Sequence, residues 1–283
     1  MTDANIEKDV PHTSGTDTNG ANHHNAQPTQ RYNNYGNPLA HAHSGNDTRL
    51  PAFGGEFQPG LYKAIENRKI ANPAPLGLSA FALTTFVLSA INLQTRGVTE
   101  PNIVATLAFG YGGLVQLLAG MWEMAIGNTF GATALSSYGG FWISYALILT
   151  PSLQVADAYK ESNTEASAIG FFLAGWFIFT TILLLCTLRS TIMFFGLFFT
   201  LDLAFLFLFC SEFAKDNGAA TVALGLQKAG GVFGMLAAFL AWYNAFAGMA
   251  DSSNSFILIP VFHFPWSEKG RENRLSKQAS HTV

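Results

Sequence analysis

Charge is scarce in this chain. Only 12% of its 283 residues are Asp, Glu, Lys or Arg, and the formal net charge is −3. Soluble proteins carry about 25%, so an ordinary water-facing surface is excluded for most of the sequence. The near balance of signs also removes the electrostatic case for nucleic acid as a partner. Cysteine is nearly absent: Cys186 and Cys210 both lie in apolar stretches, which argues against a disulfide framework or a zinc site. No histidine falls in any apolar stretch, and no Ser-His-Asp arrangement, phosphate-binding loop or metal-spaced Cys/His cluster occurs outside the N-terminal region. An enzyme, a bound metal and a cofactor are therefore not expected. The first 50 residues are polar, so no secretory signal is expected either.

What is present is hydrophobicity in blocks. Residues 70–95, 101–122, 124–156, 166–188 and 229–250 contain no charge, and 190–211 contains only Asp202. A bilayer core takes about 20 apolar residues in helix, so the pattern predicts six transmembrane helices. None of the runs shows the period-two alternation of a membrane barrel. The links are short, which makes consecutive helices antiparallel neighbours. Residues 1–60 are rich in Asn, Thr, His and Gly and poor in large aliphatics. They read as a disordered polar tail. The chain thus divides into a tail (1–60), a membrane domain (61–250) and a C-terminal tail (251–283).

Six spans put both tails on one side. Lys63, Arg68, Lys69, Arg189, Lys269, Arg271, Arg274 and Lys277 lie on that side; Arg96, Lys160, Lys215 and Lys228 lie opposite. The excess places both termini in the cytoplasm. The Asn46-Asp47-Thr48 sequon is then a chance match, and His23, His24, His41 and His43 belong to a solvated tract.

Polar groups inside the runs are the chemical candidates. Asp202, between Leu201 and Leu203, is costly in lipid, and such residues are rarely idle. It either relays a proton beside a path or hydrogen-bonds a neighbouring helix. Glu123 is either an interfacial charge or part of a mouth. Gln116, Asn92 and Asn244 either bond across helices or line a wet passage. Gly110, Gly112, Gly113 and Gly120, and Gly230 with Gly234, fit close helix packing. By spacing alone, Tyr138, Phe141 and Trp142 read as packing aromatics. Pro73 and Pro75 suit a helix first turn, leaving Asn72 to cap that helix or to touch a ligand.

The string NPAPLGLSAF at 72–81 resembles the signature of the acetate uptake transporter family. FGYGGLVQLLAGMWE (109–123), NTFGATALSSYGGFW (128–142) and GGVFGMLAAFLAWYNAFAG (230–248) are similar to that family's helices 2, 3 and 6. The polar tail resembles the fungal branch, although FGGEFQPG at 53–60 departs from the motif usually written FGGTLNPG. The resemblance implies a six-helix bundle like that of the proton-gated urea channels, assembled as a homo-hexamer with one path per protomer. It implies transport of acetate and other small monocarboxylates across the plasma membrane, with protons. Ammonium export and an acetate-adaptation sensor are the alternatives. It also implies a hydrophobic constriction of Phe81, Tyr138 and Leu201, which would gate by dewetting and gives Tyr138 a second reading beside packing. Asn72, Gly77, Thr84, Gln116 and Glu123 are candidates to meet the substrate, and Asp202 to handle the proton.

Overall fold

The computed structural model describes residues 71–281. The N-terminal tail, its histidines, the sequon and FGGEFQPG lie outside the described residues.

The two prolines do open a helix. Pro73 is the N-cap of α1 (Ala74–Asn92), and Pro75 stands in its first turn, where a missing N–H removes no helical bond. Asn72 Oδ1 accepts from the Ala74 N–H at 3.1 Å, so Asn72 caps the helix. At the other end the chain leaves through Gln94, Arg96 and Gly97, all with positive φ. Next come α2 (Asn102–Phe109), a π-helical turn (Gly110–Val115) and α3 (Gln116–Ala125), a single rod with one widened turn. The helix α4 (Thr129–Leu149) starts at Asn128, whose side chain accepts from the Gly131 N–H. It is followed by α5 (Glu165–Cys186) and by α6 (Ile192–Asp216), which is capped by Thr191 on the Phe194 N–H. The last long helix is α7 (Ala220–Met249), and α8 (Glu268–His281) is short and polar.

Five rods are long and apolar enough to cross a membrane: α1, α2–α3, α5, α6 and α7. The sixth, α4, has 21 residues and no charge, but Gly, Ser, Thr and Tyr dilute its hydropathy. That composition suits its position, since ten of its residues are buried, among them Phe130, Tyr138, Phe141 and Trp142. It is an inner helix of the bundle. The chain is a multi-pass, all-helical membrane protein.

Absent side chains show how the rods pair. A Cβ on Gly248 would meet Pro75 at 3.0 Å, and one on Gly234 would meet Ser89 Oγ at 2.4 Å, so α1 and α7 run antiparallel. Gly120 against Ser136 and Gly139 against Leu117 do the same for α3 and α4. Gly170 against Phe213, with Thr181 bonded to Asp202, aligns α5 with α6. These are the small-residue contacts through which helices approach closely in lipid. They define a near end, where α1 begins and α7 finishes, and a far end, where α1 finishes and α7 begins.

Two links differ from the sequence expectation. The stretch 212–228 reads as a loop because of its charges, yet only Asn217–Ala219 separates α6 from α7. Helices that outrun the apolar layer carry charges on their last turns. The residues after α7 are also ordered into a strap. The Ile192 N–H donates to Phe262 O at 2.8 Å, and Thr191 and His263 form an antiparallel bridge. Trp266 Nε1 donates to Leu188 O at 2.7 Å, tying the strap to the α5–α6 turn.

Candidate functional site

Three helices turn one stripe each towards a common interior. On α1 it runs through Leu78, Phe81, Thr85 and Asn92; on α4 through Leu135, Tyr138 and Tyr145; on α6 through Leu197, Leu201, Leu208 and Glu212. Spacings of three, four or seven residues keep each set on one helix face. Two cavities result. The far-end one has a volume of about 100 Å³ and the near-end one about 20 Å³. The smaller holds about one water, since a water takes roughly 10–15 Å³ on this measure. Phe81, Tyr138 and Leu201 are the residues common to both walls. They are 5%, 3% and 6% exposed. The three side chains expected to form a constriction thus stand as the partition between two cavities.

The partition is apolar by construction. Phe81 and Tyr138 rings sit 6.0 Å apart, tilted by 50°. The Thr180 hydroxyl donates to Trp176 O at 2.7 Å, which spends its only hydrogen. The 2.9 Å contact between Thr180 and Tyr138 is therefore a bond donated by the phenol. That bond turns the polar end of Tyr138 towards α5 and holds the ring in place. Phe179, Trp176 and Phe198 pack around it at 5.9, 6.1 and 6.5 Å.

Gln116 stands on the near side of the partition. It is wholly buried, lines the smaller cavity, and neither its Oε1 nor its Nε2 has a hydrogen-bond partner among the described residues. Buried amides are normally satisfied. Gln116 follows directly on the π turn, which inserts an extra residue and re-aims the helix beyond it; such turns recur at functional sites. The Gly110-Tyr111-Gly112-Gly113 sequence permits it. A Cβ on Gly112 would strike Thr84 Oγ1 at 2.5 Å, and one on Gly113 would strike the Ala108 carbonyl.

The other candidates are placed as follows. Thr84 is buried, donates to Ala80 O at 2.9 Å and packs against Gly112. Gly77 faces Leu135 and Ala119, which fill the space a ligand would need to approach it. Asn72 spends its Oδ1 on the cap, and its Nδ2 lies near Gly248. Glu123 is fully buried; its Oε2 accepts from Asn128 Nδ2 at 2.5 Å, linking α3 to the start of α4. Asp202 turns away from both cavities and accepts from Thr181 on α5 at 2.9 Å. Asn244 donates to Leu240 O at 2.7 Å.

The wall of the larger cavity includes residues that sequence reasoning passed over. Tyr145, Gln227 and Glu212 line it, with Asn92 and Ser89. Gln227 Nε2 donates to Asn92 Oδ1 across α7 and α1 at 3.5 Å. The signal for Glu212 was its spacing: it continues the Leu201, Ala204, Leu208 stripe by one more turn. Its neighbours Lys215 and Asp216 masked it as loop.

An inner chamber partitioned by an apolar ring, inside a bundle of membrane-crossing helices, defines a protein that passes small solutes through its own interior. The chain belongs to the GPR1/FUN34/yaaH family, whose profile matches residues 53–266. It is 65% identical over 243 residues to Acetate permease A of Emericella nidulans, covering 84% of this chain and 80% of that protein. It is 50% identical over 224 residues to Ammonia transport outward protein 2 of Saccharomyces cerevisiae, with 79% and 77% covered. Among solved structures, the bacterial acetate channel SatP aligns with a TM-score of 0.55 at 32% identity, over 68% of this chain and all of that one.

Proposed function

We propose that this protein carries acetate and other small monocarboxylates, together with protons, across the plasma membrane through a path within each protomer. Both termini are cytoplasmic, so the near end faces the cytoplasm and the larger cavity opens towards the outside. The working unit is a homo-hexamer. The observation that carries the reading is the partition: Phe81, Tyr138 and Leu201 alone belong to the walls of both cavities.

The chemistry follows from what lines the route. The outer cavity offers Ser89, Asn92 and Gln227 to a small polar solute. The ring of Phe81, Tyr138 and Leu201 presents no polar atom, because the Tyr138 hydroxyl is committed to Thr180. Beyond it, the Gln116 amide offers a donor to a carboxylate and an acceptor to a carboxylic acid. Thr84 packs α1 against the π turn, Gly77 lets α1 approach α3 and α4, and Asn72 and Glu123 hold helix starts. Asp202 acts in the contact between α5 and α6.

Uptake of radiolabelled acetate by proteoliposomes tests this, after subtraction of the flux through protein-free vesicles. Acid outside stimulates uptake, and Phe81→Ala and Tyr138→Ala change its rate and selectivity. Uptake indifferent to both the pH gradient and these substitutions would sink the proposal. A second reading, efflux of ammonia, is favoured by the 50% identity to an ammonia transport outward protein. An apolar ring passes a neutral amine as readily as a neutral acid. Efflux of methylammonium from loaded vesicles separates the two.

A further inference from the structure

The carboxylate nominated for proton handling, Asp202, does not face the path. Among the described residues that wall the two cavities, Glu212 is the sole carboxylate. It sits on α6 eleven residues beyond Leu201, about 16 Å further along the helix at 1.5 Å per residue. Its side chain is 16% exposed, and its Oε1 lies 2.6 Å from Lys215 Nζ, which is 41% exposed. The elements around it add little charge. Tyr145, and Tyr138 at the cavity floor, are the titratable groups facing the cavity from α4; α1, α5 and α7 present Asn92, Ile169 and Gln227.

We infer that Glu212 is the proton-carrying carboxylate of the outer cavity and that Lys215 is its anion-receiving partner. This rests on the transport reading above. At rest the two form an ion pair at the mouth. An arriving monocarboxylate competes for the Lys215 ammonium, which is the more exposed member of the pair. As the substrate's oxygens take over Lys215, Glu212 loses its counter-charge and accepts a proton from hydronium in the outer solution. The Glu212 O–H then breaks, its proton forms a new O–H bond on the substrate carboxylate, and the electron pair stays on Glu212. The neutral acid moves on towards Phe81, Tyr138 and Leu201, and the Glu212 carboxylate re-forms its pair with Lys215. One substrate anion and one proton enter per cycle, and the protein is left unchanged. The arrangement also explains why the Glu212 carboxylate stands in the cavity wall, with Lys215 paired to it, rather than at the constriction: the anion is neutralised while water still reaches it.

The experiment uses the full chain in proteoliposomes with labelled acetate. Two readouts are taken: uptake at external pH 5.5 and 7.5 against an interior at pH 7.5, and acetate exchange at equal pH. In Glu212→Gln the stimulation by external acid falls below about twofold and equal-pH exchange falls with it, since both protonate the substrate at this carboxylate; the thermal midpoint of the purified variant stays near wild type, and Glu212→Asp restores part of both readouts. Lys215→Gln raises the KM for acetate about tenfold or more, the effect of losing one charge-assisted hydrogen bond. A Glu212→Gln protein with the wild-type pH profile overturns the inference. So does one whose thermal midpoint falls well below wild type and whose transport Glu212→Asp does not restore, since that marks a structural role. A wild-type protein that moves no acetate in either readout counts against the transport reading instead.

Discussion

Gln116→Met separates a substrate contact from a structural amide. Met matches Gln in length and keeps the apolar packing while removing both polar atoms. The amide is wholly buried, with neither atom hydrogen-bonded among the described residues. Such a group destabilises by about 1–3 kcal/mol. The variant is therefore more stable by that amount, and its thermal midpoint rises by roughly 2–10 °C for a chain of this size. Transport moves the opposite way. A hydrogen bond to a charged or strongly polar partner contributes about 1.5–3 kcal/mol, so kcat/KM for acetate falls roughly 10- to 150-fold. Tryptophan fluorescence during heating reads the first quantity, and proteoliposome uptake reads the second. A variant that is less stable than wild type, with kcat/KM within twofold, refutes the reasoning: the amide would then be a structural group.

Three further outcomes follow from the packing. Gly120→Val brings a Cβ to 2.4 Å from the Ser136 backbone nitrogen, which cannot retreat. Overpacking of this kind costs about 1–3 kcal/mol or more, and size-exclusion chromatography shows loss of monodisperse protein. Thr180→Val keeps the shape but strips the Tyr138 hydroxyl of its acceptor, destabilising by about 1–3 kcal/mol and broadening selectivity at the ring, measured as uptake of longer monocarboxylates relative to acetate. His263 in the strap has its pKa lowered by burial and then by the nearby Lys269. The neutral form is thus the one the fold prefers. The stability it contributes is fully present above the unfolded value of about 6.5 and is lost as pH falls through the lower folded value. Amide-exchange protection of Ile192 and Phe264, corrected for intrinsic rates, is accordingly lower at pH 5 than at pH 7.5 and unchanged in His263→Gln.

The helices were legible in the sequence because lipid imposes one rule, a long uncharged run, and the chain obeys it six times. The inner position of α4 was not announced by hydropathy: Gly139, Ser136 and Tyr138 lower its average because it faces protein, not lipid. Phe81, Tyr138 and Leu201 were legible through resemblance, since an aromatic on a buried helix has the same local pattern whether it packs or gates. Asp202 and Glu212 show what local sequence leaves out: Glu212 lines a cavity wall and Asp202 does not. A charge amid leucines attracts attention and a charge near a helix end does not. Yet Leu201 and Asp202 are one residue apart, about 100° around the helix, so only one of them faces the interior. Glu212, three turns beyond Leu201, returns to the same face. The π turn at Gly110–Val115 was hidden because glycines there are equally expected for close packing.

On the proposed route, the apolar ring would decide which form of the substrate passes. Moving a bare carboxylate from water into a medium like the ring's costs about 20 kcal/mol in the idealised limit and several kcal/mol after relaxation. Protonating a carboxylate of pKa about 4 at pH 7 costs roughly 4 kcal/mol, at 1.36 kcal/mol per unit. For any desolvation penalty above that value the neutral acid meets the lower barrier. The near-end cavity has room for about one water, too few to hydrate an anion between Phe81 and Gln116. Methanesulfonate tests the comparison, being close to acetate in size but an anion throughout the accessible pH range. It competes with acetate for the outer cavity, with an inhibition constant near the acetate KM, but is not itself carried. Labelled methanesulfonate accumulating at a rate within a few-fold of acetate would show that the ring conducts anions, and the case for a proton travelling with the substrate would fall with it.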